Sequence, residues 1–83
     1  MSEAGSMVVY PNPNNGTFSI DFSNFEGEAT YQLIDARGAV VETREINVTN
    51  GETKMFNHTL TAGTYFVRII NGDKVYVEQI VVE

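Results

Sequence analysis

Asn71-Gly72-Asp73 lies between two β-rich runs, Leu60 to Ile70 and Lys74 to Val82, and nothing else in the chain limits its fold so strongly. Asn and Gly accept the positive φ that a tight right-twisted turn demands, so Asn-Gly between such runs predicts a hairpin. In the first run Tyr65, Val67 and Ile69 share one face, and Phe66, Arg68 and Ile70 the other. In the second run Val75, Val77 and Val81 oppose Tyr76, Ile80 and Val82. Just upstream, Leu60-x-x-Gly63-x-Tyr65 has the pattern of a β-sandwich corner. There a Tyr at the start of a strand bonds its hydroxyl back to nearby backbone.

The rest of the chain agrees with the hairpin. Val, Ile and Thr supply 24 of the 83 residues and Leu only two. Stiff β-branched side chains suit pleated strands and crowd helices. No window holds a sustained apolar period of 3.6 residues, so an all-β fold follows.

Read in order, Met7 to Tyr10 is a first strand, stopped by Pro11-Asn12-Pro13-Asn14-Asn15-Gly16. The prolines remove backbone donors and make this loop stiff, and Asn15-Gly16 turns the chain. Thr17 to Phe22 alternates, with Phe18, Ile20 and Phe22 on the core face. A loop from Ser23 to Glu28 follows, in which Phe25 pins the segment to the body. Ala29 to Asp35 is a third strand, and Asp35-Ala36-Arg37-Gly38 turns it. Ala39 to Val48 is a fourth. Its alternation breaks between Val41 and Ile46, which predicts a bulge or a bend between sheets. After the Asn50-Gly51 turn, Thr53 to Thr59 is a fifth strand, with Met55 and Asn57 on one face and Phe56 and His58 on the other. With the closing hairpin this gives about seven short strands in an Ig-like antiparallel β-sandwich, a small open barrel being the competing architecture. Residues 1–6 read as a leading linker and 7–83 as one domain.

Composition also excludes functions. The net charge is −6, with only Arg37, Arg44, Lys54, Arg68 and Lys74 basic and scattered. Phosphate neutralisation needs clustered cations, so no nucleic-acid partner is expected. No apolar run is long enough for a membrane helix, and Met1 to Ser6 lacks the apolar stretch of a signal peptide. With no Cys there is neither disulfide nor thiolate metal site. His58 is the only histidine. It has no Cys or nucleophile-elbow Ser to activate, and the reading is a surface residue. Asp21, Glu26, Glu28 and Asp35 lack the spacing of a Ca²⁺ loop and read as solvated surface. Arg68 and Glu78 are expected to pair across the last hairpin. No catalytic residue, cofactor or metal site emerges, and the domain reads as a non-enzyme.

An ordered set of motifs then carries a resemblance: Val9-Tyr10-Pro11-Asn12-Pro13, Asn15-Gly16 leading into a strand, Leu33-Ile34-Asp35 with Gly38, Leu60-x-x-Gly63-x-Tyr65-Phe66-Val67-Arg68-Ile69, and a final Ile80-Val81-Val82. Over Met7 to Glu83 the chain resembles the C-terminal sorting domain, type A, of the type IX secretion system of Bacteroidetes. The resemblance implies a secretion signal without chemistry of its own, fused behind a cargo domain. The outer-membrane translocon would recognise it, and a sortase-like transpeptidase would cut in or before Ser2 to Ser6. The cargo would pass through the periplasm to the cell surface or the extracellular space. The positions that match the family are Pro11, Asn12 and Pro13 in the first loop, Gly38, Gly63 and Tyr65, and Ile80 and Val82 in the last strand. Two positions depart from it: Gln79 and Glu83 stand where relatives often carry Lys. The strand before Leu60 usually alternates two apolar residues, and here Met55 fits and Asn57 does not. A monomer is expected, and an exposed sheet edge together with the Pro-Asn-Pro loop is the expected recognition surface. The rival reading is an Ig- or fibronectin-III-like accessory module that binds carbohydrate or spaces domains, with Tyr31, Phe25 and Tyr76 as its platform.

Overall fold

The computed structural model describes residues 6–23 and 25–83. Of the leading linker, residues 1–5 lie outside the described residues, as does Asn24 in the loop before the third strand. Seven strands follow in chain order: β1 (Ser6–Tyr10), β2 (Thr17–Ser23), β3 (Gly27–Asp35), β4 (Val40–Val48), β5 (Thr53–Asn57), β6 (Gly63–Asn71) and β7 (Lys74–Val82). They form a three-stranded sheet in the order β1-β2-β5 and a four-stranded sheet in the order β4-β3-β6-β7, packed as a sandwich. Each of these strand pairings is antiparallel.

The alternation of the sequence decides which side of each strand is buried. Phe18, Ile20 and Phe22 of β2 face Tyr31 and Leu33 of β3, Val67 and Ile69 of β6, and Ile80 and Val82 of β7 in one core. Each large side chain withdrawn from water stabilises the fold by about 1.5–3 kcal/mol. Phe25 is buried against Phe22 and Tyr76, with ring centroids 5.1 and 5.2 Å away, and so pins its loop to the body.

The bulge expected in β4 is present, at the start of the stretch rather than between Val41 and Ile46. Leu33 pairs with Glu42 but Ile34 with Val40, so Val41 has no partner across the ladder. The bulge does not carry β4 into the other sheet. It stays beside β3 along its whole length.

The closing hairpin turns one residue later than Asn-Gly suggests. Asn71 pairs with Lys74, which leaves Gly72 and Asp73 as the two loop residues. Gly72, with φ +61°, supplies the left-handed position, and the Asn71 amide instead donates to Glu28 O at 3.1 Å. Asn71 is thus the last rung of the ladder. A two-residue hairpin asks for φ > 0 at its first central position, and here that residue is the glycine.

Candidate recognition surface

The motif residues gather at one end of the sandwich. The register lines up Asp35, Tyr65 and Ile80 in one row, and Gly63 with Val82 in another. The turn containing Gly38, the corner at Gly63, the end of β7 and the Pro-Asn-Pro loop therefore lie together. Three of these residues face inward: Tyr65, Ile80 and Val82 are buried. The Tyr65 hydroxyl donates to Thr61 O at 2.7 Å, which is the geometry of a tyrosine corner and ties the loop before β6 to the strand it starts. Gly38 closes its turn by donating its N–H to Asp35 O at 2.9 Å. The Asp35 carboxylate accepts from the backbone N–H of Ala39 and Arg37 at 2.9 and 3.0 Å. These bonds favour the ionised form and hold its pKa below the usual carboxylate range, the Ala39 bond first.

The Pro-Asn-Pro loop is exposed at Pro11, Asn12 and Pro13, yet its polar groups are already engaged. Both Xaa-Pro bonds, Tyr10–Pro11 and Asn12–Pro13, are cis. The Asn12 side chain acts as a short piece of strand: its amide donates to Gln79 O at 3.1 Å and its oxygen accepts from Val81 N at 2.9 Å. Asn14 continues the pairing through its backbone. It donates to Val81 O at 2.9 Å and accepts from Glu83 N at 2.8 Å, as a parallel bridge to Val82. Its buried side chain holds the loop from within, donating to Pro11 O at 3.0 Å and accepting from Gly16 N at 2.9 Å. The edge expected to be open is therefore covered from Gln79 to Glu83. Two prolines strip donors from this loop, so the asparagine amides do the pairing that backbone would otherwise do. That role was readable in an Asn placed between two prolines and was missed.

The first half of β7 keeps an open edge. By the parity of the Gln79, Val81 and Glu83 bonds, the backbone N–H and C=O of Val75 and Val77 point away from β6. Among the described residues nothing pairs with them. Arg68 and Glu78 do not pair. Arg68 stands opposite Val77, and Glu78 opposite Val67 on the other face of the hairpin. The Arg68 guanidinium donates instead through Nε and Nη2 to Oε1 of Gln32, its neighbour on β3. Glu78 is an exposed charge on the inward-pointing side of an edge strand, a placement that discourages edge-to-edge association.

His58 is not a surface residue. Phe56 and His58 form the inward face of the fifth run, and Met55 points out with 72% of its surface exposed. The apolar alternation assigned to Met55 belongs to Phe56. The His58 side chain is only 6% exposed, with Nε2 2.8 Å from the Tyr31 hydroxyl and Nδ1 3.6 Å from a Glu42 oxygen. Tyr31 stacks on Phe56 with centroids 4.3 Å apart and planes within 6°. The Arg44 guanidinium lies 5.7 Å over the Phe56 ring and pairs with Glu42. Burial lowers the His58 pKa, with Arg44 adding to the shift and Glu42 opposing it. Burial pushes the Tyr31 phenol well above its ordinary value, and Glu42 adds to that. Hydroxyl, imidazole and carboxylate stand in sequence here, but Tyr31 is fully buried and its proton is held tightly. The cluster joins β5 to β3 and β4. The parity of His58 with Phe56 was the signal for it.

The rival platform does not assemble. Tyr31 and Phe25 lie in the core, and Tyr76 packs against Phe25.

Two sheets closed at one end by a corner and a clamped loop, with no pocket among the described residues, define a small Ig-like β-sandwich module. The family model of the secretion system C-terminal sorting domain matches residues 8–83, and the chain belongs to this type IX secretion family. Such domains are sorting signals carried by larger cargo proteins, generally non-catalytic, and they direct secretion to the cell surface or the extracellular space. A comparison with curated proteins found no match. Among the described residues no helix is long and apolar enough to cross a membrane.

Proposed function

We propose that this domain is the export address of a fused cargo protein and performs no chemistry itself. The outer-membrane translocon reads it as a folded unit, and a sortase-like transpeptidase then separates cargo from signal. Cleavage falls in or before residues 2–6, and residues 7–83 stay together as the signal. The family match over residues 8–83, which takes in all of β2 to β7 and most of β1, carries this reading.

The residues proposed for the signal divide by role. Tyr65, Gly63, Gly38, Ile80 and Val82 hold its shape. Pro11, Asn12 and Pro13 clamp the end of β7, which favours indirect action through the last strand over direct contact with the translocon. A reporter carrying this domain at its C-terminus, expressed in a type IX-competent bacterium, tests the reading. The reporter should appear outside the cell and be trimmed ahead of β1. Periplasmic retention, uncut, would reject it.

A further inference from the structure

We propose that the outer face of the β6–β7 hairpin is where the export machinery docks, and that the partner brings an apolar protein surface with a carboxylate to Arg68. This rests on the sorting function above and names the surface it uses. Val75 and Val77 stand 56% and 57% exposed on β7, with Val81 beyond them at 38%. The register sets Ile70 beside Val75 and Phe66 beside Gln79, and Ile34 of β3 continues the Phe66 row. The result is two apolar groups on the outside of the sandwich, Val75, Val77 and Ile70 towards the hairpin turn and Phe66, Ile34 and Val81 beyond Arg68 and Gln79, which a lone domain gains nothing by exposing.

Arg68 sits between these two groups. Arg37, Arg44 and Lys54 each have a carboxylate partner, whereas among the described residues no carboxylate reaches Arg68. It gives two of its five N–H groups to a single neutral amide oxygen of Gln32. That bond fixes the plane of the guanidinium and leaves its outer N–H groups free for a planar acceptor.

The charge pattern selects the occupant. A second copy of this face would bring a second Arg68 into a desolvated contact, and like charges there are strongly unfavourable. A lipid surface that attracts proteins by charge needs several clustered cations, and this chain carries −6 overall. An apolar protein surface with one Asp or Glu satisfies both the valines and the arginine. The unpaired backbone of Val75 and Val77 borders the same patch, while Glu78 beside them disfavours strand addition and leaves the outer side chains as the contact.

The test uses the exported reporter with Arg68→Gln, Arg68→Glu and Val77→Ser. Val8→Ser, on the outer face of the other sheet and 56% exposed, is the control. Melting temperatures of the purified domains confirm that each variant folds. Arg68→Glu and Val77→Ser should cut extracellular reporter at least about tenfold, with Arg68→Gln between them and wild type, and Val8→Ser should match wild type. Wild-type export of folded Arg68→Glu and Val77→Ser would overturn the docking site while leaving the sorting function standing. Failure of the unaltered domain to export would overturn both. Sedimentation showing a dimer that Val77→Asp dissolves would assign the face to a second copy. Flotation of the domain with phosphatidylethanolamine–phosphatidylglycerol vesicles, lost in Val77→Asp, would assign it to lipid.

Discussion

The two open sides of the sandwich are closed by opposite means. Beside β1 and β7, Asn12 and Asn14 reach across and pair with the last strand through amides and backbone alone. Beside β5 and β4, rings and charges do the work: Tyr31 on Phe56, His58 on Tyr31, and Arg44 and Glu42 over them. The first closure is directional, exposed at Asn12 and buried at Asn14, and its bonds are made by amide and backbone groups that do not titrate. The second is apolar and buried, and its imidazole and phenol sense pH. Removing a hydrogen-bonding amide costs on the order of 1 kcal/mol, whereas emptying a buried ring site costs several. The aromatic side should therefore hold the sandwich, and the amide side should set the shape of the surface around β7.

The sharpest way to break the aromatic side is Phe56→Ala. It leaves a cavity beneath Tyr31 and Phe18 and removes the surface Arg44 covers. We expect a loss of about 3–5 kcal/mol in urea unfolding, enough to unfold much of so small a domain. A loss below about 1 kcal/mol would mean that the ring does not hold the two sheets together.

Gly16 joins the two sides. Its N–H donates to Asn14, and its C=O accepts from His58 N at 2.9 Å. Its φ is +107°, and a Cβ there would lie 2.3 Å from His58 O, a backbone atom. Gly16→Val should cost about 2–4 kcal/mol and loosen both closures together. Amide exchange that speeds up in Thr53–Asn57 alone would show the two sides to be uncoupled.

On the amide side Asn14→Ala strips the buried link between Pro11 and Gly16 and should cost about 1–3 kcal/mol. The more telling readout is local. Exchange of the Val81 and Glu83 amides should quicken ahead of global unfolding, because Asn12 and Asn14 are their acceptors. Unchanged protection at both amides would show that the loop does not cover the edge.

Most of the scaffold was legible in the sequence, because strand faces follow a period of two. Phe18-Ile20-Phe22 read as an inward face, whereas in β6 the period separated Tyr65-Val67-Ile69 from Phe66-Arg68-Ile70 without deciding which is buried; the structure buries the first. A bulge was legible but its place was not: from Glu42 to Ile46, where the alternation breaks, the ladder is regular and polar Glu42 and Arg44 stand opposite Leu33 and Tyr31, whereas the residue left out is Val41. His58 was misread because a polar side chain was ranked by its type, although it shares parity with Phe56. A partner 27 residues away, Tyr31, makes its burial tolerable, and the sequence does not display that pairing. The Arg68–Glu78 pairing failed because it assumed a register. Moving the turn to Gly72-Asp73 sets Arg68 opposite Val77 and frees it for Gln32 on the neighbouring strand.

The smallest effect separates the two closures most cleanly. In the folded state the His58 pKa lies below its ordinary value of 6.5, chiefly through burial. The unfolded chain therefore binds a proton more readily, so the stability owed to neutral His58 is complete above about pH 6.5 and falls as the pH drops below it. Tyr31 works in the other direction. Its folded pKa is raised above 10.0, so its contribution is complete below that pH and fades as the pH rises past it. The ionised carboxylates Asp35 and Glu52 have lowered folded pKa values and weaken the fold only nearer pH 4. The interval from about pH 7 down to about pH 5 thus isolates His58. Wild type should lose stability across it, and His58→Gln, which keeps a hydrogen-bonding group for Tyr31 without titrating, should not. Asn14→Ala should run parallel to wild type across the same interval, since the amide side has nothing to protonate. If wild type were flat from pH 7 to pH 5, or if the gap between Asn14→Ala and wild type changed with pH, the division between the two closures would be wrong.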